Sequence, residues 1–423
     1  MKTFSPVQRW PSLVMLMAAL ISARVSAQEA GLVDITFLDT LRLEVRTNHP
    51  TVAAAQARVR AAEAGIRAVR LWEDPMAGLG VMTAERSMRR DDGDLMFAAE
   101  QTLPRLKLYA AQKAKAAAER SILEAEMRSA ALALETLVAQ TAFELALADE
   151  MLAIETNQLA WLEGMAINAR EKLKDPMSNA SEPLRMESEV AQQRQKIDAT
   201  QRNRARLARQ LNILLGRPPE QAWPNLRLPD AATPAPALAE ELRRLFQANP
   251  MLQALLNTVS AARAEIDVAR RERRPIFSVG VESSIYSGGD YRQTTVAGKM
   301  TLPLFNTRLY RANLDRAQQQ QVAAEREIDA LERKLRGEVI AAHTEAEIAA
   351  HQADAFAKEI IPRTEKAAES TQNAWISNKA SLLEVFEARR ALLNARLEER
   401  RFVAAQRAAL EMLRSIVPPQ TKP

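Results

Sequence analysis

The sequence predicts a mainly α fold in which two β-hairpins interrupt long alanine-rich helices, the whole laid out as one unit used twice. Three observations carry this reading. Residues 105–175 contain no proline and a single glycine, Gly164, as a very long helix requires. Residues 275–305, PIFSVGVESSIYSGGDYRQTTVAGKMTLPLF, alternate apolar and polar residues on both sides of Gly288-Gly289-Asp290, as a hairpin does. Landmarks of the first half also return, in the same order, about 200 residues later.

Asn48-His49-Pro50 is answered by Ala248-Asn249-Pro250, Asp74-Pro75 by Arg274-Pro275, and Gly80-Val81 by Gly280-Val281. Leu103-Pro104 is answered by Leu302-Pro303, Tyr109 by Tyr310, and Ser181 and Glu187 by Ser381 and Glu387. The two copies span about 28–217 and 248–417. Residues 218–247 form a proline-rich linker with a short helix, and 418–423 a tail.

Within each copy a helix follows the proline, at 51–73 and 251–273, because proline suits a first helical turn. Strands follow at 76–83 and 94–103, then at 276–286 and 293–303. Long helices are expected at 105–175 and 184–216 in the first copy, and at 306–375 and 381–416 in the second. Val138, Leu145, Leu152 and Leu159 repeat every seven residues. Ala388, Ala395, Phe402, Ala409 and Ile416 do the same on the last arm, with Leu392 and Leu413 interleaved. This is coiled-coil spacing with small residues on the seam. Pro362 is expected to interrupt or kink its arm.

Composition narrows the function classes. Only 4% of the 423 residues are aromatic while 47% are hydrophobic, which suits extended helices over a large globular core. Net charge is +5, from 58 basic and 53 acidic residues interspersed along the chain, so nucleic acid is excluded as a partner. Three His and no Cys leave no thiol nucleophile, cysteine zinc site or disulfide. At the start, Lys2 and Arg9 precede the apolar run at 13–21, and Val25-Ser26-Ala27 supplies small residues. Residues 1–27 are therefore expected to be a signal peptide cleaved after Ala27; the run is short for a membrane span, and no Cys is there for lipid attachment.

The hairpins carry the remaining signal. Phe277, Val279, Val281 and Ile285 share one face of their strand, and Ser278, Gly280, Glu282 and Ser284 the other. Ala77, Leu79, Val81, Leu95, Phe97 and Ala99 alternate with Gly78, Gly80, Ala98 and Glu100 in the first hairpin. The strands are long enough to cross a bilayer at a tilt. Open edges are not tolerated in lipid, so four strands would have to be pooled by several chains. A small soluble sheet packed on helix ends fits the strand pattern as well. The signal peptide, the absence of an 18-residue apolar run in the mature chain and the very long helices favour the membrane.

The order helix, β-hairpin and long helical hairpin, repeated after a signal peptide, resembles the TolC-like outer-membrane factors of Gram-negative efflux systems. The segment NKASLLEVFEARRALLNARL (378–397) resembles that family's second-repeat segment at the periplasmic tip. EQTLPRLKLYAAQKAKAAAE (100–119) resembles the strand-to-helix passage of its heavy-metal branch, the cobalt–zinc–cadmium and copper–silver proteins. The resemblance implies a homotrimer: a 12-stranded β-barrel in the outer membrane, in contact with its lipid, continued by an α-helical tube into the periplasm. It also implies docking with a periplasmic adaptor (membrane fusion protein) and an inner-membrane pump of the resistance-nodulation-division type. Drug efflux and type I secretion belong to the same family, and a soluble periplasmic coiled-coil scaffold or adaptor is the rival from another class.

The resemblance places a periplasmic gate at Glu384 and Glu387, whose spacing allows both to project from one helix face. It places adaptor contacts at the helix-hairpin tips: Asp175, Ser178, Asn179 and Ser181 in the first copy, and Asn378, Lys379 and Ser381 in the second. Val279 and Val281 belong to the barrel wall, and Gly288, Gly289 and Asp290 to a loop facing outside the cell. Glu282 and Lys299 are expected on the lumen side. No catalytic constellation, cofactor or metal site is expected. Met76, Met82, Met88 and Met96 read as packing residues, and His343 and His351, eight apart, as a solvated helix face.

Overall fold

Two prolines start matching helices, and the residue before each one caps it. Helices α1 (Ile35–Asn48) and α2 (Pro50–Ala68) meet at His49, whose Nδ1 accepts from Thr51 N–H at 3.2 Å. In the second half, α5 (Leu238–Ala248) and α6 (Pro250–Glu272) meet at Asn249, whose Oδ1 accepts from Met251 and Leu252 N–H at 2.9 and 3.1 Å. A proline lacks only an amide that the first turn leaves without an intrahelical partner, and the cap satisfies the amides that follow. This computed structural model describes residues 31–82, 94–172, 181–230, 234–286, 289, 291–377 and 379–419. The expected signal peptide at 1–27 lies outside them.

Each helix leads into a pair of strands, β2 (Met76–Met82) with β3 (Asp94–Thr102), and β5 (Ile276–Tyr286) with β6 (Tyr291–Thr301). The long helix α3 (Leu106–Lys172) and its return α4 (Ser181–Leu215) follow the first pair. After the second pair come α7 (Thr307–Ala355), a π-turn (Phe356–Ile360), α8 (Ile361–Ile376) and α9 (Leu382–Ile416). At 1.5 Å per residue, α3 spans about 100 Å. Helix α1 has no counterpart in the sequence reading, and several expected bounds move. Helix α4 starts at Ser181, and Pro183 sits in its first turn, where its missing N–H removes no bond. Strand β6 starts two residues early because the ladder bulges between Ser284 and Ile285.

The expected interruption near Pro362 is a π-turn. Ile361 N–H reaches back to Phe356 C=O, one residue further than in an α-helix. The wider turn makes room for a ring that would otherwise press on the carbonyl four residues before it.

All four long strands join one antiparallel sheet in the order β2-β3-β5-β6. The hairpins meet where β3 pairs β5, from Asp94 opposite Tyr286 to Thr102 opposite Ser278. A second, parallel pairing was not legible in the sequence: β1 (Gly31–Leu32) lies beside β4 (Leu226–Arg227) and fastens the start of the described chain to the linker.

Three main clusters hold the helices. At the middle, Leu38, Leu41 and Val45 of α1 pack on Val138, Phe143 and Leu145 of α3, on Leu207, Leu211 and Leu215 of α4, and on Leu226 and Leu228 of the linker. A second cluster joins Leu245, Leu252, Leu335, Val339, Leu413 and Ile416. The third closes the far end of the bundle through Leu162, Met165, Met186, Trp375, Leu382, Val385 and Phe386. Burial of each such side chain contributes roughly 1.5–3 kcal/mol before chain entropy is counted.

Two sequence expectations need correction. Helix α3 does contain an 18-residue window long and apolar enough to cross a membrane, partly buried within the chain. Its middle section supplies the central core, which accounts for the apolar run without a membrane. His343 is buried, with Nε2 2.8 Å from Pro236 C=O and Nδ1 3.4 Å from Glu347, so it fastens the linker to α7. His351 is exposed as expected.

Candidate functional site

Strand alternation gives the sheet two unlike faces. One carries Leu79, Val81, Leu95, Phe97, Phe277, Val279, Val281, Val296 and Met300, all exposed in the single chain, with Leu79 at 83% and Val296 at 70%. The register stacks them across strands: Leu79 lies opposite Phe97, and Ala77, Ala99, Val281 and Val296 form one row. Val279 and Val281 share this face with Phe277, as strand alternation sets. Among the described residues, no helix covers this face.

The other face is small and polar. Glu100 lies opposite Gly280, which offers no side chain, and its carboxylate turns to the neighbours. Oε1 accepts from Ser278 Oγ at 2.7 Å, and Oε2 meets Lys299 Nζ at 2.6 Å. A Cβ at Gly280 would meet Ala99 C=O at 3.5 Å and the Glu100 side chain at 3.9 Å, ordinary van der Waals contact. Glu282 shares this face with Lys299, as expected. Met76 and Met96 do too, and the Met82 side chain and Met88 lie outside the described residues. Glu100 was not singled out by sequence; a carboxylate on an otherwise apolar strand was the available signal.

Among the described residues, the sheet's outer strands, β2 and β6, pair on one side only. The turn after β5 holds Gly289 at φ 90°, a left-handed backbone open to glycine at little cost. Gly288 and Asp290 lie outside the described residues.

At the opposite end, Ser381 caps α9. Its Oγ accepts from Glu384 N–H at 3.3 Å, and the Glu384 carboxylate accepts from Ser381 N–H at 3.1 Å. Glu384 therefore has a helix-capping role that its sequence reading as a gate residue did not include. Glu387 lies one turn on, and both carboxylates are exposed on α9. Behind them Arg389 stacks on Trp161, 5.2 Å from the ring centroid, and donates to Gln158 Oε1 at 3.1 Å. Burial lowers the Arg389 guanidinium from its ordinary value, Arg396 adds repulsion and Glu365 opposes both. Arg390 pairs with Glu189 of α4 at 3.0 Å, and Phe386 meets Trp161 edge-on at 5.9 Å.

Of the tip residues named from sequence, Ser181, Lys379 and Ser381 are described, all exposed, at the starts of α4 and α9. Asp175, Ser178, Asn179 and Asn378 lie outside the described residues. The tip cluster holds the ends of α3 and α8 against the starts of α4 and α9. Among the described residues, no group of three or more His, Cys, Asp or Glu side chains could hold a metal ion.

A sheet set on a bundle of very long helices is a fold this chain shares with solved outer-membrane channels. Residues 242–417 match the family model described as outer membrane efflux protein. Solved structures share the fold across nearly the whole chain. One is CusC, with a TM-score of 0.77 at 19% identity, covering 90% of this chain and 91% of that one. The outer-membrane channel OprN gives 0.77 at 18%, covering 91% and 90%. The open-state MtrE outer-membrane channel of Neisseria gonorrhoeae gives 0.75 at 18%, covering 90% and 88%. No curated protein sequence matches this chain.

Proposed function

We propose that this protein is the exit duct of a tripartite efflux system in the outer membrane of a Gram-negative bacterium. The observation that carries the reading is the sheet: one face apolar and uncovered, the other polar, and both edge strands open. An uncovered apolar face is costly in water, and an open edge is costly in lipid. Closure with two further copies meets both demands, giving a 12-stranded barrel with the apolar face toward lipid and Glu100, Glu282 and Lys299 toward the lumen. The helices of the three chains then continue the barrel as a periplasmic tube.

In this duct, Glu384 and Glu387 face the narrow end as threefold rings of carboxylate that favour cations. The hairpin tips, with Ser181, Lys379 and Ser381, meet a periplasmic adaptor, and a pump of the resistance-nodulation-division type in the inner membrane supplies the energy. The duct positions and passes its cargo and performs no bond chemistry. We assign heavy-metal cations as that cargo, supported by the passage at 100–119 and by the acidic rings.

Fractionation tests the duct: a heat-modifiable trimer in the outer membrane is expected, and release of the protein by osmotic shock would overturn it. Deletion of the gene should raise sensitivity to metal salts. Sensitivity confined to hydrophobic drugs would remove the metal assignment while leaving the duct standing.

A further inference from the structure

Where the four long strands meet the helices, the chain gathers positive charge. The segments 67–75, 104–112, 267–275 and 303–312 flank the helix-side ends of β2, β3, β5 and β6. They hold ten Lys and Arg against four Asp and Glu, a surplus of six in a chain whose whole net charge is +5. The fold brings them together. Val268 of α6 packs on Leu108 and Ala111 of α3, Gln101 Nε2 donates to Glu73 C=O at 2.9 Å, and Leu103 N–H bonds Phe277 C=O at 2.8 Å. Arg67, Arg70, Lys107, Arg270, Arg273, Arg274, Arg308 and Arg311 are all exposed. Only two ion pairs within this group are seen among the described residues, Arg70 with Asp74 and Arg271 with Asp267.

Large apolar side chains stand among these cations. Trp72, Leu106, Leu304 and Leu309 are more than half exposed, and Phe305 is 96% exposed. A basic collar laced with exposed apolar groups suits the boundary between hydrocarbon and headgroups. There the apolar groups enter the acyl region, and guanidinium forks meet phosphate oxygens two at a time. A second copy of this surface would bring the same surplus of positive charge and be repelled.

We propose that this collar, on the duct reading above, binds the headgroups of anionic phospholipids in the leaflet nearest the helical tube. The threefold assembly would ring the barrel with cations and enrich those lipids around it. One basic residue near an anionic surface corresponds to about a fivefold local preference.

Trp72 makes the enrichment measurable, because Trp10 falls in the expected signal peptide and Trp161, Trp223 and Trp375 lie in the tip and central clusters. The protein from residue 28 onward is reconstituted into phosphatidylcholine bilayers containing an equal small fraction of brominated phosphatidylglycerol or brominated phosphatidylcholine. The expected result is stronger quenching by the anionic lipid, corresponding to severalfold enrichment and absent in a Trp72→Phe protein. The preference should fall toward equality when Arg273, Arg274, Arg308 and Arg311 are all replaced by Gln. Equal quenching by both lipids in the wild-type protein, with channel conductance present, overturns the collar and leaves the duct intact. This comparison needs no variant to fold. Loss of both quenching and conductance overturns the membrane reading on which the collar rests.

Discussion

Glu100 and Lys299 are 199 residues apart in sequence and meet across the sheet, Oε2 to Nζ at 2.6 Å. Lys299 on β6 reaches over β5 to β3, where Glu100 lies opposite Gly280. Ser278, opposite Lys299, holds the other carboxylate oxygen. The contact joins the two hairpins by side chains as well as by backbone. On the proposed lumen face, Lys299→Glu would put three carboxylates together where two face one cation. Its cation-to-anion permeability ratio should rise, read as a shifted reversal potential in planar bilayers. An unchanged ratio would place this face outside the ion path.

Glu384 has two roles that can be separated. Glutamine at this position keeps an acceptor for Ser381 N–H while removing the charge, whereas alanine removes both. Glu384→Gln and Glu387→Gln should each lower cation selectivity with little change in hydrogen exchange of the first α9 turns. Ser381→Ala should do the reverse, speeding exchange there at a cost of about 1 kcal/mol while leaving selectivity intact.

The apolar face should reject charge. Leu79→Arg or Val296→Arg places a guanidinium on the surface proposed to meet lipid, costing about 2–4 kcal/mol near a bilayer midplane. The yield of heat-modifiable trimer should drop sharply for either variant. Normal yield from both would point to a sheet outside the membrane.

The tip depends on its small core. Met186 is fully buried between helix ends, and Met186→Ala should cost about 2–5 kcal/mol. The loss should be local, seen as faster exchange in residues 161–169 and 382–390. The sheet should be unaffected, since no tip side chain reaches it.

A pH dependence resides at the middle of the bundle. Burial pushes the Glu150 carboxyl above its ordinary value, while the Leu228 N–H and Arg400 oppose the shift. Burial also raises Glu399, opposed by Arg400, whose Nε meets it at 2.5 Å. An acid whose pKa is raised by folding costs stability when ionised, so the cost appears as pH rises through that raised value. Glu399→Gln, which leaves Arg400 with Glu150 and Asp230, should therefore stabilise at neutral pH. The gain in melting temperature should vanish below the ordinary carboxylate range, around pH 4. A gain that persists there would mean packing, not ionisation, is responsible.

The sequence by itself determined the elements and their order. Proline and glycine act locally through φ and the missing N–H, so Pro50, Pro250 and Gly289 marked helix starts and a turn without reference to the fold. Alternation fixed which residues share a strand face, since side-chain direction has a period of two, and the unlike faces of β5 followed at once. What only the tertiary structure decided was long-range. The pairing of β3 with β5, the fastening of β1 to β4, the burial of His343 under the linker and the reach of Lys299 to Glu100 all join residues more than 100 positions apart. Such contacts depend on how helices pack and strands register, and their energies belong to pairs that no local window of sequence contains.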